Sequence, residues 1–256
     1  MKNRLSGKWV VITGATSGIG KATAYAFAQS GSHLILTGRR EKSLEEIKED
    51  LTSSFSTSVE TAAFDIRDTE ACRRMVDGLE HPVDILINNA GLARGTDPVD
   101  QADFDDWNTM IDTNIKGLMS MTRFFSPKMK ERGEGHIINV GSIASHESYG
   151  GGSIYCATKH AVKAFTEAAK KDLHGTGVRV SMVSPGLVET EFSIVRYHGD
   201  KEKADDVYED MKPLVAQDIA EIIHFTANRP PHVNIMDTIV LPTDQSSATM
   251  VHRNDD

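Results

Sequence analysis

Seven short apolar runs alternate with six stretches of helical pattern, and that rhythm leaves few folds open to this chain. The apolar runs fall at residues 9–13, 33–37, 59–64, 85–88, 137–140, 179–183 and 238–241. The helical patterns lie near 18–29, 42–53, 69–78, 104–130, 153–174 and 217–228. Strands that alternate with helices build βαβ units, whose right-handed crossovers put helices on both faces of a parallel sheet. The expected fold is therefore α/β, a single doubly wound parallel sheet of about seven strands. A length of 256 residues suits one such domain spanning 1–256, and no proline-rich linker or internal repeat divides it.

Residues 186–213 break the rhythm. This stretch is charged, reading Glu189-Thr-Glu-Phe-Ser-Ile-Val-Arg-Tyr-His-Gly-Asp-Lys-Glu-Lys-Ala, and is long for a simple connection. It follows the carboxyl end of a strand, where ligands bind in open α/β sheets, so a substrate lid is expected there. The 37 acidic and 28 basic residues leave a net charge of −9, which argues against nucleic acid as the main partner. An anionic ligand would need a local basic pocket. Two cysteines, Cys72 and Cys156, are too few for a disulfide framework and favour a cytoplasmic setting. No apolar run approaches the ~20 residues of a membrane span, and the N-terminus lacks the apolar stretch of a signal peptide. The ten histidines show no zinc-like spacing, so no metal is expected.

Thr13-Gly-Ala-Thr-Ser-Gly-Ile-Gly20 joins the first strand to the first helix. Glycines allow a tight turn and close backbone approach, and the helix start offers unpaired N–H groups to a pyrophosphate. The sheet is then Rossmann-type, with Gly14, Thr16, Ser17, Gly18, Ile19 and Gly20 as the expected cofactor cradle. The second strand ends Leu36-Thr-Gly-Arg-Arg40, with Gly38 where an acidic residue would accept hydrogen bonds from the ribose of NAD. A guanidinium clamps a 2′-phosphate and stacks on adenine. Arg39 is the first candidate, while Arg40 either joins it or faces solvent. The expected cofactor is NADP.

A third constellation carries chemistry. Ser142 follows the strand-like run His136-Ile-Ile-Asn-Val-Gly141, and Tyr155 and Lys159 lie four residues apart on one helix face. An ammonium beneath a phenol favours the phenolate and makes the tyrosine a proton donor and acceptor. With the glycine spacing Gly-x-x-x-Gly-x-Gly, this resembles the short-chain dehydrogenase/reductase family from about residue 7 to 190. The resemblance implies hydride transfer between nicotinamide C4 and a carbinol or carbonyl carbon. It implies that Tyr155 exchanges the proton, Lys159 supports the phenolate and bonds the ribose, and Ser142 orients the substrate oxygen. Asn114 would hold a water in a proton relay. It further implies cofactor contacts from Asp65 and Ile66 at the adenine, and from Asn88, Ala90 and Gly91 beside the ribose. Pro185, Gly186, Val188 and Thr190 would lie around the nicotinamide. A homotetramer is implied in the same way.

Three stretches bear on the substrate: Gly91-Leu-Ala-Arg-Gly95, the segment from Glu189 to Asp200, and Asp237-Thr-Ile-Val-Leu-Pro-Thr-Asp-Gln245. They resemble the NADP-dependent 3-hydroxy acid dehydrogenases, which act on serine, allo-threonine and 3-hydroxy acids. The substrate would then be a small carboxylate, with Arg94 or Arg196 as its anchor beside Ser142. Arg94 could instead brace its loop, and Arg196 could be solvated. Other readings are a reductase of a neutral or acyl-carrier-bound carbonyl, or a dinucleotide-binding regulator without activity.

Overall fold

The computed structural model describes residues 2–254. Its principal sheet has seven parallel strands: β1 (Trp9–Thr13), β2 (His33–Gly38), β3 (Val59–Ala63), β4 (Ile85–Asn88), β5 (Gly135–Val140), β6 (Val178–Pro185) and, in last place, β9 (Asp237–Val240). They lie in the order β3-β2-β1-β4-β5-β6-β9. Both faces of β1 are covered, so Val10, Val11 and Ile12 are all fully buried. Alternation sends Val10 and Ile12 into one core layer and Val11 into the other. The first layer packs beneath α1 (Gly18–Gln29) and α2 (Glu41–Ser54), the second beneath α3 (Thr69–Asp77). Pairing of β1 with β2 on one side and β4 on the other makes the topological switch point, with a crevice outside the carboxyl ends of the strands.

The helical pattern at 104–130 is not one helix. It divides into α4 (Phe104–Ile111), a π-helical turn (Asp112–Gly117) and α5 (Leu118–Arg132). The turn encloses Asn114, whose side chain bonds sideways to other elements, and π-turns within helices often occur at functional sites. Hydrophobic periodicity cannot report such a bulge, because the apolar stripe continues on either side. α6 (Ser153–Asp172) then crosses to β6.

The insertion at 186–213 is also more structured than its charge suggests. It holds β7 (Val188–Glu189), α7 (Glu191–Arg196) and α8 (Lys201–Asp206), and β7 pairs in parallel with β8 (Leu214–Val215) at its base. α9 (Ala216–Ala227) follows and packs against α1. Elements this short carry no periodic signal. No helix among the described residues is long and apolar enough to cross a membrane.

Candidate active site

A cavity of about 490 Å³ opens over the carboxyl ends of the central strands. Its first wall is the turn between β1 and α1, where Gly14 and Gly18 adopt φ of 66° and 51°. Ser17 caps α1 in extended conformation with no side-chain bond to the helix, leaving the first-turn N–H groups to a ligand. Gly14, Thr16, Ser17, Gly18 and Ile19 line the cavity; Gly20 does not. A Cβ at Gly20 would collide with the Gly14 carbonyl and the Asn89 amide, so this glycine lets α1 pack closely behind the turn.

The two arginines after β2 are placed differently. Arg40 donates to Thr16 Oγ1 through Nη2 at 2.9 Å and pairs with Glu191 at 3.1 Å. Arg39 lines the cavity, is exposed, and has no ion-pair partner among the described residues. Asp65 and Ile66 also line it. Arg67, bound at 2.6 Å, holds the Asp65 carboxyl below its ordinary range, with a smaller contribution from Arg39.

At the end of β4 the expectation for Asn88 is corrected. Its side chain points into the layer beneath, donating to Thr122 and Asn139 at 3.0 and 2.9 Å, and does not reach the cavity. Strand alternation gives the cavity position to Asn89, which donates to the Thr13 carbonyl at 2.9 Å. Ala90 and Gly91 line the wall beside it. Asn114 is buried behind Gly91: it accepts from Leu92 N at 2.9 Å and donates to Leu92 O at 2.8 Å and Thr158 Oγ1 at 3.1 Å. A Cβ on Gly91 would lie 3.3 Å from Asn114 Oδ1 and 3.6 Å from Lys159 Nζ, so the three form one cluster.

Ser142, Tyr155 and Lys159 meet in the same cavity, each less than one-tenth exposed. Helical spacing puts Lys159 Nζ 5.9 Å from the Tyr155 ring centre, and it donates to the Val140 carbonyl at 3.0 Å. Burial pushes Lys159 down to about 8. It also raises Tyr155 strongly, with Tyr149 adding to the effect and with Ser142 and Arg196 opposing it. Desolvation outweighs the opposing pull of Ser142 and Arg196.

Pro185, Gly186, Val188 and Thr190 line the floor and the entrance to the insertion. Thr190 caps α7 by accepting from Phe192 N at 3.2 Å. Arg196, at the other end of α7, extends over two aromatic rings, 5.6 Å from Tyr149 and 6.0 Å from Tyr155. Its Nε is buried and has no hydrogen-bond partner. Arg94 lies outside the cavity, with Nη1 3.5 Å from Asp106. Tyr149, Phe192, Tyr208 and Gln245 also line the cavity, though none was singled out from the sequence as a site residue. Gln245 accepts from Leu187 N at 2.9 Å, a contact across 58 positions that no local pattern encodes.

A dinucleotide-shaped cleft, a helix start aimed into it and a Ser-Tyr-Lys cluster at one end define a nicotinamide-type oxidoreductase site. The chain matches the short chain dehydrogenase family over residues 8–200 and belongs to it. It is 48% identical over 255 residues to the NADP-dependent 3-hydroxy acid dehydrogenase of Schizosaccharomyces pombe, with 98% of each chain covered. It is 47% identical over 250 residues to sulfoacetaldehyde reductase 2 of Chromohalobacter salexigens, covering 96% of this chain and 98% of that one. The closed form of a serine dehydrogenase complexed with NADP+ superposes with a TM-score of 0.90 at 44% identity, over 96% of this chain and all of the other.

Proposed function

We propose that the chain is an NADP-dependent dehydrogenase of small 3-hydroxy acids of the serine and allo-threonine type. The observation that carries the substrate class is Arg196: a guanidinium over the Tyr155 ring, with a buried, unpartnered Nε, in a chain of net charge −9. Nη1 donates to the Tyr149 hydroxyl at 3.3 Å, which leaves the rest of the guanidinium to an anion, and its planar fork suits a carboxylate. Arg39 supports NADP as the cofactor, being a cation that lines the cleft without an ion pair among the described residues. The glycine turn lies close against the loop after β4, since a Cβ on Gly14 would come within 2.9 Å of Ala90 Cα.

A dinucleotide held along this cavity would supply the hydride chemistry, at nicotinamide C4. Tyr155 gives its proton to the carbonyl oxygen in reduction and takes the alcohol proton in oxidation, while Ser142 orients that oxygen. Lys159 carries positive charge beneath the phenol, and Asn114 ties the Gly91 loop to the same cluster. The insertion at 186–213 serves as the lid because it carries Arg196 to the substrate. Large apolar side chains left exposed, Phe104 at 72% on α4 and Ile239 at 48% on edge strand β9, support self-association, with a homotetramer as the state that sedimentation would check.

Serine, allo-threonine and 3-hydroxybutyrate should be oxidised with NADP+, and the methyl ester of the last poorly. Arg196→Met should lower kcat/KM for the acid by roughly 10- to 100-fold, the value of a charge-assisted contact of ~1.5–3 kcal/mol, and spare the ester. Arg39→Gln should weaken NADP+ by a similar factor and leave NAD+ unaffected. A neutral alcohol preferred over every acid would defeat the substrate reading. Faster turnover of sulfoacetaldehyde with NADPH would move the anion from carboxylate to sulfonate.

A further inference from the structure

α7 is six residues long, too short to hold itself in place, so the direction of Arg196 depends on what grips the ends of that helix. At the start, Thr190 caps the helix, Ser193 Oγ meets the Tyr208 hydroxyl at 2.7 Å, and Glu191 pairs with Arg40 at 3.1 Å. At the end the grip comes from outside the insertion. Gly95 N–H donates to the Arg196 carbonyl at 2.9 Å. Two residues further, the His198 imidazole reaches Asp106 on α4, Nε2 to Oδ2, at 2.9 Å.

Two features set this contact apart from an ordinary surface pair. His198 makes it from left-handed backbone, φ 56°, a conformation uncommon outside glycine that the surrounding bonds must hold. Asp106 is a nearly buried carboxylate, its side chain 11% exposed, so it is a fixed point on the protein body. Its other oxygen faces Arg94 at 3.5 Å, which gives Arg94 a structural partner in place of a substrate. The neutral imidazole can carry its hydrogen on Nε2, so the bond does not require a charged ring. Neither Asp106 nor His198 lines the large cavity.

We propose that Asp106 and His198 form a latch that fixes the C-terminal end of α7 and so sets the Arg196 guanidinium over Tyr155, where it receives the substrate's anionic group. This rests on Arg196 being the anion anchor. Asp106 and His198 are positioning residues; Arg94 steadies Asp106 from behind. Loosening the latch lets Arg196 swing away from the anion; its influence on Tyr155 is shared by acid and ester, so the acid-to-ester ratio isolates the loss of the anchor.

The test uses His198→Asn and Asp106→Asn, each alone and with Arg196→Met, on 3-hydroxybutyrate and its methyl ester with NADP+. Asparagine tolerates left-handed backbone at 198 while withdrawing the imidazole. His198→Asn is expected to lower kcat/KM for the acid about three- to tenfold, mainly through KM, and to change the ester by less than about twofold. Once Arg196 is methionine, it should add no further loss. Equal losses on acid and ester, or the same loss in the Arg196→Met background, overturn the latch while the anchor stands. An unchanged acid-to-ester ratio in Arg196→Met alone overturns the anchor and the latch together. Asp106→Asn leaves Arg94 unpaired and can unfold the protein, so melting curves accompany every variant, and His198→Asn, 54% exposed, decides.

Discussion

Burial and charge pull against each other at the reacting residues. Lys159 is an ammonium almost wholly withdrawn from water, with one carbonyl bond, to Val140 at 3.0 Å, to offset the loss of hydration. Its fall to about 8 reflects that cost. Lys159→Met should therefore abolish useful turnover yet stabilise the protein at pH 7 by ~1–3 kcal/mol, read as a higher melting temperature. The folded value lies below the ordinary 10.5, so the unfolded chain binds the extra proton between about pH 8 and 10.5. The parent's stability then rises with pH across that window, and the advantage of methionine shrinks; a methionine variant less stable at pH 7 would mean that the Val140 bond outweighs desolvation. Tyr155→Phe keeps the ring and its edge contact with Phe192, 5.7 Å between centres, but removes the proton. Turnover should drop ~10²-fold or more while NADP+ binding, followed by fluorescence titration, persists. Near-normal turnover would assign the proton to another group.

Among the elements, the π-turn between α4 and α5 has the largest effect on the site. Widening the helix at Asp112–Gly117 lets the Asn114 side chain satisfy both backbone groups of Leu92, and so pins the loop that carries Gly91 against Lys159. In a regular helix the same asparagine would be an interior residue of modest propensity. Asn114→Ala should leave a buried N–H and C=O unpaired and cost ~2–4 kcal/mol, seen as a lower urea midpoint, with weaker NADP+ binding besides. A loss below ~1 kcal/mol would show that water replaces the amide. The same helical stretch shows the reach of pattern reading: Trp107, Met110, Leu118, Thr122 and Phe125 mark a helix face, yet nothing in their spacing shows that the helix bulges between them.

Across the whole molecule, three partly or wholly buried histidines link stability to acid. Burial lowers His136, with Arg179 and Lys170 adding to it. Burial also lowers His146 against an opposing pull from Asp237, and lowers His224 with help from Arg229. Each is harder to protonate in the folded state than in the unfolded chain. The unfolded chain therefore binds more protons below about pH 6.5, and stability is lost as pH falls through that region. The urea midpoint should drop between pH 7 and 5.5, and His136→Gln should flatten the curve more than a change at an exposed histidine such as His252. A midpoint independent of pH over that interval would count against the buried neutral state of His136.

Three things could be read from the sequence alone: the parallel sheet, the cradle at Gly14 to Ile19, and the Ser142–Tyr155–Lys159 cluster. All three depend on short-range order, since short apolar runs, a glycine turn before a helix and an i,i+4 pair are set by the chain's local geometry. Tertiary packing decided the rest. It gave Asn89, not Asn88, to the cavity, and set Gly20 behind the cradle. It also separated two arginines of similar promise, taking Arg94 to Asp106 and Arg196 to the Tyr155 ring. Those outcomes depend on which partner reaches a charge first across many residues of separation, and on how much water the fold excludes around it. No local pattern records either, because both exist only once distant segments have been brought together.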